Sequence, residues 1–313
     1  MLGRRNLRIK VMQVLYAWEM DHDIPLTALE RQLSTQIQKS VSLYLTNLLY
    51  VIEVCNYSMV DKAKKLARYI QTEEDKNTRT TIAANSIIQY LQNNDAFLAL
   101  VKKEGIRHHI ATDVVKKLFN ELSTKPKYKE YSALAQPNLE QDKEIIGFIL
   151  KKIFQSEKDL EHHLEEIFIN YDDDYTLLVH VTGKYIDTFS ADKADNFFQG
   201  LDQWEEEKKF AIQLLIKTIQ NNEELTAIIE PNLKNWEMDR VAVLDLILMK
   251  LAVSELKYFP TIPVKVSINE YIDISKLYST PKSKDFVNGV LDKVKNGLLE
   301  QGGIKKHGRG LME

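Results

Sequence analysis

From Trp236 to Leu298 the chain alternates apolar runs with hard stops. That alternation leaves little freedom: the stretch must form three helices that pack on one another. The first run, Trp236–Tyr258, carries Val241, Leu244, Leu248, Leu251 and Leu256 near helical spacing. Val243, Ile247 and Met249 make its other sides apolar too, so this helix is expected at the centre of a core. Pro260 and Pro263 end it. The second helix is expected over Val266–Tyr278, with Ile268, Ile272 and Ser275 on one face and Tyr271 and Ile274 flanking. Ser267 and Glu270 fit a capping box at its start. Ser279-Thr280 separates it from the third, Pro281–Leu298, where Thr280 reads as the N-cap and Pro281 as the first helical residue. Val287, Val290, Leu291, Val294 and Leu298 form its buried stripe. Gly289 lies within that stripe, and a mid-helix Gly costs about 1 kcal/mol against Ala, so a close helix–helix approach is expected there.

Two runs in this stretch resemble the NusB family of bacterial transcription antitermination factors. Pro263-Val264-Lys265-Val266-Ser267-Ile268-Asn269-Glu270 follows the family's P-x-x-V-x-I-N-E pattern, and Phe286-Val287-Asn288-Gly289-Val290-Leu291-Asp292-Lys293 follows F-V-N-G-V-L-D-K. Asp239-Arg240-Val241 through Leu251-Ala252-Val253-Ser254-Glu255-Leu256 is similar to the family's central helix. At the other end, Arg4-Arg5-Asn6-Leu7-Arg8 followed by Gln13-Val14-Leu15-Tyr16-Ala17-Trp18 resembles its arginine-rich start.

The remainder reads as helix after helix. A chain of 313 residues with only 11 Gly and 7 Pro favours long helices over a many-turned β fold, and 44% hydrophobic residues suffice for a sizeable core. Helices are expected at 5–20, across 26–71 as one or two pieces, and at 79–93, 95–104, 112–122, 139–155, 157–170, 174–189 and 203–220. Thr124-Lys125-Pro126-Lys127 reads as a break and Asp172-Asp173-Asp174 as a turn or N-cap. The expected fold is all-α: a NusB-like core of packed three-helix bundles from 1–49 and 196–300, a helical insertion at 50–195 and a flexible tail at 301–313. Typical family chains are about half this length. The core's third helix is either Ser42–Tyr57 or Lys208–Gln220; the second is preferred because it runs on through Leu225, Ile229 and Leu233 without a gap.

No Gly-rich phosphate loop, G-x-S-x-G or paired Cys for zinc is present, so the expectation is a non-enzyme without a cofactor. Cys55, the one cysteine, reads as a core residue of a protein from a reducing compartment. His108-His109 and His162-His163 are adjacent pairs whose rings diverge on a helix; His162 and Glu166 share a face, but a solvated surface explains them better than a metal. The longest apolar run, Val241–Val253, contains Asp245 and Lys250, so no transmembrane helix is expected. Arg4, Arg5 and Arg8 precede Glu19 and Asp21 without a small-residue cleavage site, which argues against a targeting peptide. A cytoplasmic protein is expected.

The net charge of −3 hides basic ends around an acidic middle. Arg4, Arg5, Arg8 and Lys10 are candidate phosphate contacts. Lys282 and Lys284 stand where a helix N-terminus also favours anions, and Phe286 beside them offers a stacking platform for an unpaired base. Asn288 completes the candidate set. The resemblance implies binding of boxA-like RNA through these ends, together with the ribosomal protein NusE, within the transcription elongation complex. It also implies self-association of some members through the same surface, a homodimer. Lys282 and Lys284 replace acidic or His positions common in the family. The alternatives are a protein-interaction scaffold with the same fold, or an RNA-modification accessory domain without its own catalysis.

Overall fold

The computed structural model describes residues 3–190, 196–233 and 240–311. Every element assigned among them is helical. The α-helices of eight residues or more among the described residues are α1 (Arg4–Met20), α2 (Leu26–Leu66), α3 (Ser86–Asn93), α4 (Asp95–Lys103), α5 (Thr112–Thr124), α6 (Pro126–Ala133), α7 (Leu139–Phe148), α8 (Lys158–Ile167), α9 (Tyr171–Thr188), α10 (Asn196–Gln220), α11 (Asn222–Ile229), α12 (Val243–Tyr258), α13 (Val264–Tyr278) and α14 (Ser283–Glu300). They divide into one unit of Leu2–Ile37 with Gln203–Glu313 and another of Gln38–Asp202. The expected boundary at 49/50 falls inside α2; that at 195/196 borders residues 191–195, which lie outside the described residues.

In the unit of Leu2–Ile37 and Gln203–Glu313, α12 is central, as its all-round apolar character requires. Its residues from Ile247 to Leu256 are all buried. Helices α1, α11, α13 and α14 pack on it, and α13 and α14 pack on each other. Leu7, Val11, Val14 and Leu15 bury one face of α1, while Ile9 and Met12 bury a second.

Several local expectations need correction here. Helix α12 starts at Val243, because Ala242 is extended (ψ 134); Trp236–Asp239, expected inside it, lie outside the described residues. Helix α13 starts at Val264 behind Pro263, so Ser267 is not a cap. Its hydroxyl instead donates to Glu255 Oε1 at 2.6 Å. Helix α14 starts at Ser283 behind Lys282, and Thr280 with Pro281 precedes it. Gly289 is exposed, and a Cβ placed on it would meet nothing within 4 Å, so no close helix approach explains it. The segment expected as a tail lies against the end of α12: His307 N–H donates to Pro260 O at 3.1 Å, and Lys306 Nζ donates to the carbonyls of Glu255 and Phe259. A Cβ on Gly310 would fall 2.0 Å from Pro260 O, a distance only glycine permits.

The second unit is built on the middle and end of α2. Helix α2 is one continuous helix of 41 residues, with neither Gly nor Pro inside it to break it. Between Leu43 and Cys55 nearly every apolar side chain is buried. Burial also pushes the Cys55 thiol up, which makes it an inert core residue. The expected break at Thr124-Lys125-Pro126-Lys127 falls at Lys125, which is extended between α5 and α6, and Pro126 opens α6, where its missing N–H costs nothing. Asp142, buried, accepts from Ser86 N–H (2.8 Å), Ser86 Oγ (2.6 Å) and Tyr131 Oη (2.5 Å). Asp174 belongs to the first turn of α9, and its buried carboxylate accepts from Ser40 Oγ and Asn170 Nδ2. A helix expected over 139–155 widens into a π turn at Ile149–Ile153.

Candidate nucleic-acid interface

Helix α1 opens on arginines with no acid in its first turn and no side-chain cap. Cations at a helix N-terminus oppose the helix dipole, so something else must hold them. The structure divides the four basic candidates of this end into two pairs. Arg4 and Arg5 are exposed; Arg8 and Lys10 are each 1% exposed. Arg8 and Lys10 therefore leave the set of solvent-facing contacts, because their neighbours on the apolar face of α1 carry them into the core.

Arg8 has a structural role instead. Its Nε and Nη2 donate to the two oxygens of Glu255 at 2.8 and 2.6 Å. Glu255 is fully buried, and the same carboxylate accepts from Ser267 Oγ and from Tyr271 Oη at 3.0 Å. The Arg8 guanidinium also lies over the rings of Phe210 (5.5 Å) and Tyr271 (5.7 Å). Burial and the adjacent carboxylate push the Tyr271 phenol well above its ordinary value, so it serves as a donor. A buried carboxylate with a forked cation and two hydroxyls is fully satisfied. This network fixes α1 to α12 and α13. A second pair, Lys250 with Glu19 at 2.6 Å, holds the other end of α1.

Arg5 donates to both oxygens of Glu270 and to Asp273 Oδ2, each at 2.9 Å. The pair is partly exposed and contributes about 0–1 kcal/mol. Arg4 places its guanidinium 5.2 Å from the Phe210 centroid. Burial holds the nearby Glu207 carboxyl above its ordinary value, and the positive charge of Arg4 offsets part of that rise. The Ser267 and Glu270 of the P-x-x-V-x-I-N-E run thus bind the N-terminal helix directly or through Glu255.

At the other end, Ser283 anchors α14 by donating to Asp245 Oδ2 at 2.7 Å. Lys282, Lys284 and Asn288 are exposed and Phe286 is half-buried. Val287, Val290 and Leu291 of the F-V-N-G-V-L-D-K run face the core. Its Asn288-Gly289 pair faces solvent with nothing packed on the glycine. Asp245 and Glu255 lie ten residues apart on α12, about 15 Å along its axis. Arg8, one turn from Arg4, is thus tied to the C-terminal part of α12 through Glu255, and Ser283, at the start of α14, to its N-terminal part through Asp245.

Sequence reasoning missed Glu255, Glu270, Asp273, Phe210 and Tyr271 as positioning residues. The signal was present for Glu255: an acid inside an apolar run needs a buried cation, and Arg8 is the cation on the apolar face of α1. Among the described residues no group of three or more His, Cys, Asp or Glu side chains could hold a metal. No helix among them is long and apolar enough to cross a membrane.

These features define an all-helical protein whose N-terminal helix is locked by buried charge onto a C-terminal bundle, with basic residues left at the surface. Comparison with known proteins gives the family. The NusB family model matches residues 175–296. Over 112 residues the chain is 44% identical to the transcription antitermination protein NusB of Salinibacter ruber, covering 36% of this chain and 70% of that one. It is 47% identical to the protein of that name from Listeria monocytogenes serotype 4b over 87 residues, 28% of this chain and 68% of that one. For Chloroherpeton thalassium the figures are 42% over 106 residues, and the chain spans half of that relative's length. No solved structure matches. The chain belongs to the NusB family. The matched range includes Lys208–Gln220 and not Ser42–Tyr57, and it begins at 175, ahead of the core segment expected from 196.

Proposed function

We propose that this chain is a non-catalytic transcription antitermination factor that binds boxA-like RNA together with NusE, in the cytoplasm, as part of the elongation complex. Arg4 and Arg5, with Lys282, Lys284, Phe286 and Asn288, form the RNA surface. The observation that carries this reading is the exposed Asn288-Gly289 pair. A glycine in mid-helix costs about 1 kcal/mol, and no packing offsets it here. The bare helix surface beside Phe286 admits close approach of a ligand backbone. Arg4 and Arg5, with Lys282 and Lys284, supply phosphate contacts, each of which releases a counterion.

Fluorescence anisotropy with labelled boxA-like RNA, with and without NusE, tests the reading. Arg4→Ala with Arg5→Ala is expected to weaken binding and flatten its salt dependence. Phe286→Ala is expected to weaken it with the salt slope kept. Unchanged affinity in both variants leaves a protein-interaction scaffold as the reading. A pull-down of NusE by the full chain, with and without RNA, then distinguishes a shared surface from two separate ones.

A further inference from the structure

We propose that the Gln38–Asp202 unit carries a second anion site, separate from the surface above, which takes a phosphate-bearing nucleotide. The site is a groove of about 560 Å³, within the size range of small-ligand pockets. Four separate stretches build it. The end of α2 gives Asp61 and Lys65, the following loop gives Asn77 and Arg79, α5 gives Phe119 and Ser123, and α6 gives Tyr128 and Lys129.

The chemistry of the lining selects the ligand. Three cations and one acid face the same space. The acid, Asp61, pairs with Lys65 at 2.8 Å, which leaves Arg79 and Lys129 as the stronger anion contacts. Lys129 is exposed and makes no ion pair among the described residues. Arg79 spends one N–H on Ala133 O at 2.6 Å. That bond fixes the guanidinium at the groove and leaves four of its five donors. Thr81 Oγ1 donates to Ser132 O at 3.2 Å, so the loop that carries Arg79 is stitched to α6 at two points. The back wall is aromatic and stiff: Phe119 packs between Tyr57 and Tyr128 at 5.4 and 5.8 Å between ring centroids. Asn77 supplies a neutral amide, and Ser123 and Thr124, whose hydroxyls donate to Asn120 O and Glu121 O, present oxygens that accept. A purely apolar ligand would cover Arg79 and Lys129 without pairing them, and a metal would find only the Asp61 carboxylate, already paired with Lys65, and no imidazole in the lining. A nucleotide satisfies the set, with phosphate on Arg79 and Lys129 and ribose or base on the amide and hydroxyls. It is held either free or as one unit of an RNA strand.

The test uses the full chain and two probes, uridine monophosphate and a labelled oligouridylate that lacks a boxA-like sequence. Arg79→Ala with Lys129→Ala is expected to weaken both by about tenfold or more, as loss of charge-assisted hydrogen bonds requires. Lys129→Glu alone changes an exposed, unpaired side chain and should also weaken both without lowering the melting temperature. Oligouridylate binding much tighter than the monophosphate identifies a strand as the ligand; equal binding per nucleotide identifies a free nucleotide. Parent-like affinity of both variants for both probes overturns the proposal. Binding of boxA-like RNA through Arg4 and Phe286 is measured with a different probe and different variants, so either reading can fail alone.

Discussion

Arg4 and Arg8 lie one turn apart on α1 and have opposite tasks. Arg4 stays at the surface; Arg8 is sunk among Glu255, Phe210 and Tyr271. Removing one partner of a buried ion pair strands the other charge and costs about 3–5 kcal/mol. Glu255→Gln is therefore expected to lower unfolding free energy by about that amount in urea titration, a large share of a typical 5–15 kcal/mol. Arg4→Ala should shift it by less than about 1 kcal/mol. Loss of RNA binding in an Arg8 variant consequently reports unfolding of the site, whereas loss in an Arg4 variant reports contact. His109 supplies a pH signature in the other unit. Burial, then His108 and His163, hold its imidazole below the usual histidine value. Below pH 6.5 the unfolded chain takes up this proton before the folded one does. Stability conferred by the neutral ring is thus lost as pH falls from 6.5 through the lowered value. The urea midpoint should fall across that window, and His109→Gln should reduce the slope.

Among the helices, α14 shows how one element divides its work. Val287, Val290, Leu291, Val294 and Leu298 serve the core, while Asn288 and Gly289 face out. With open space at Gly289, an alanine fits and relieves the entropic penalty of glycine. Gly289→Ala is expected to raise stability by about 0.5–1 kcal/mol, read from the urea midpoint. The same methyl group intrudes on the surface assigned to RNA, so affinity should drop while stability rises. Opposite signs in the two measurements separate a functional glycine from a neutral one. The buried stripe of this helix is legible from spacing alone, since apolar side chains at i, i+3, i+4 and i+7 have one place to go. The role of Gly289 was not, because a glycine that admits a neighbouring helix and one that faces open space look identical in a string of letters. Its cap was misread for a related reason: Thr280-Pro281 satisfies local start rules, yet Ser283 has a tertiary partner in Asp245 that places the first turn two residues later.

Over the whole molecule the formal charge is −3, so any RNA affinity must come from local concentration of cations, not from the average. Three or four single-strand phosphate contacts by Arg4, Arg5, Lys282 and Lys284 give a slope of about −2 to −3 for log affinity against log salt. Anisotropy titrations at graded ionic strength check it, and the Arg4→Ala, Arg5→Ala variant should be shallower by about 1.4. A slope near zero would point to a neutral protein contact instead. By itself the sequence determined that the fold is all-α, that α12 is the central helix of its bundle, and that the chain belongs with NusB proteins. Those properties follow from periodicity and short motifs, which are local. Only the tertiary structure decided which of the N-terminal cations remain available. Arg8 finds Glu255 across 247 residues of chain, and Arg5 finds Glu270 across 265. Whether a charge is neutralised, buried or left to solvent depends on what folding brings beside it, and no local pattern encodes that neighbour.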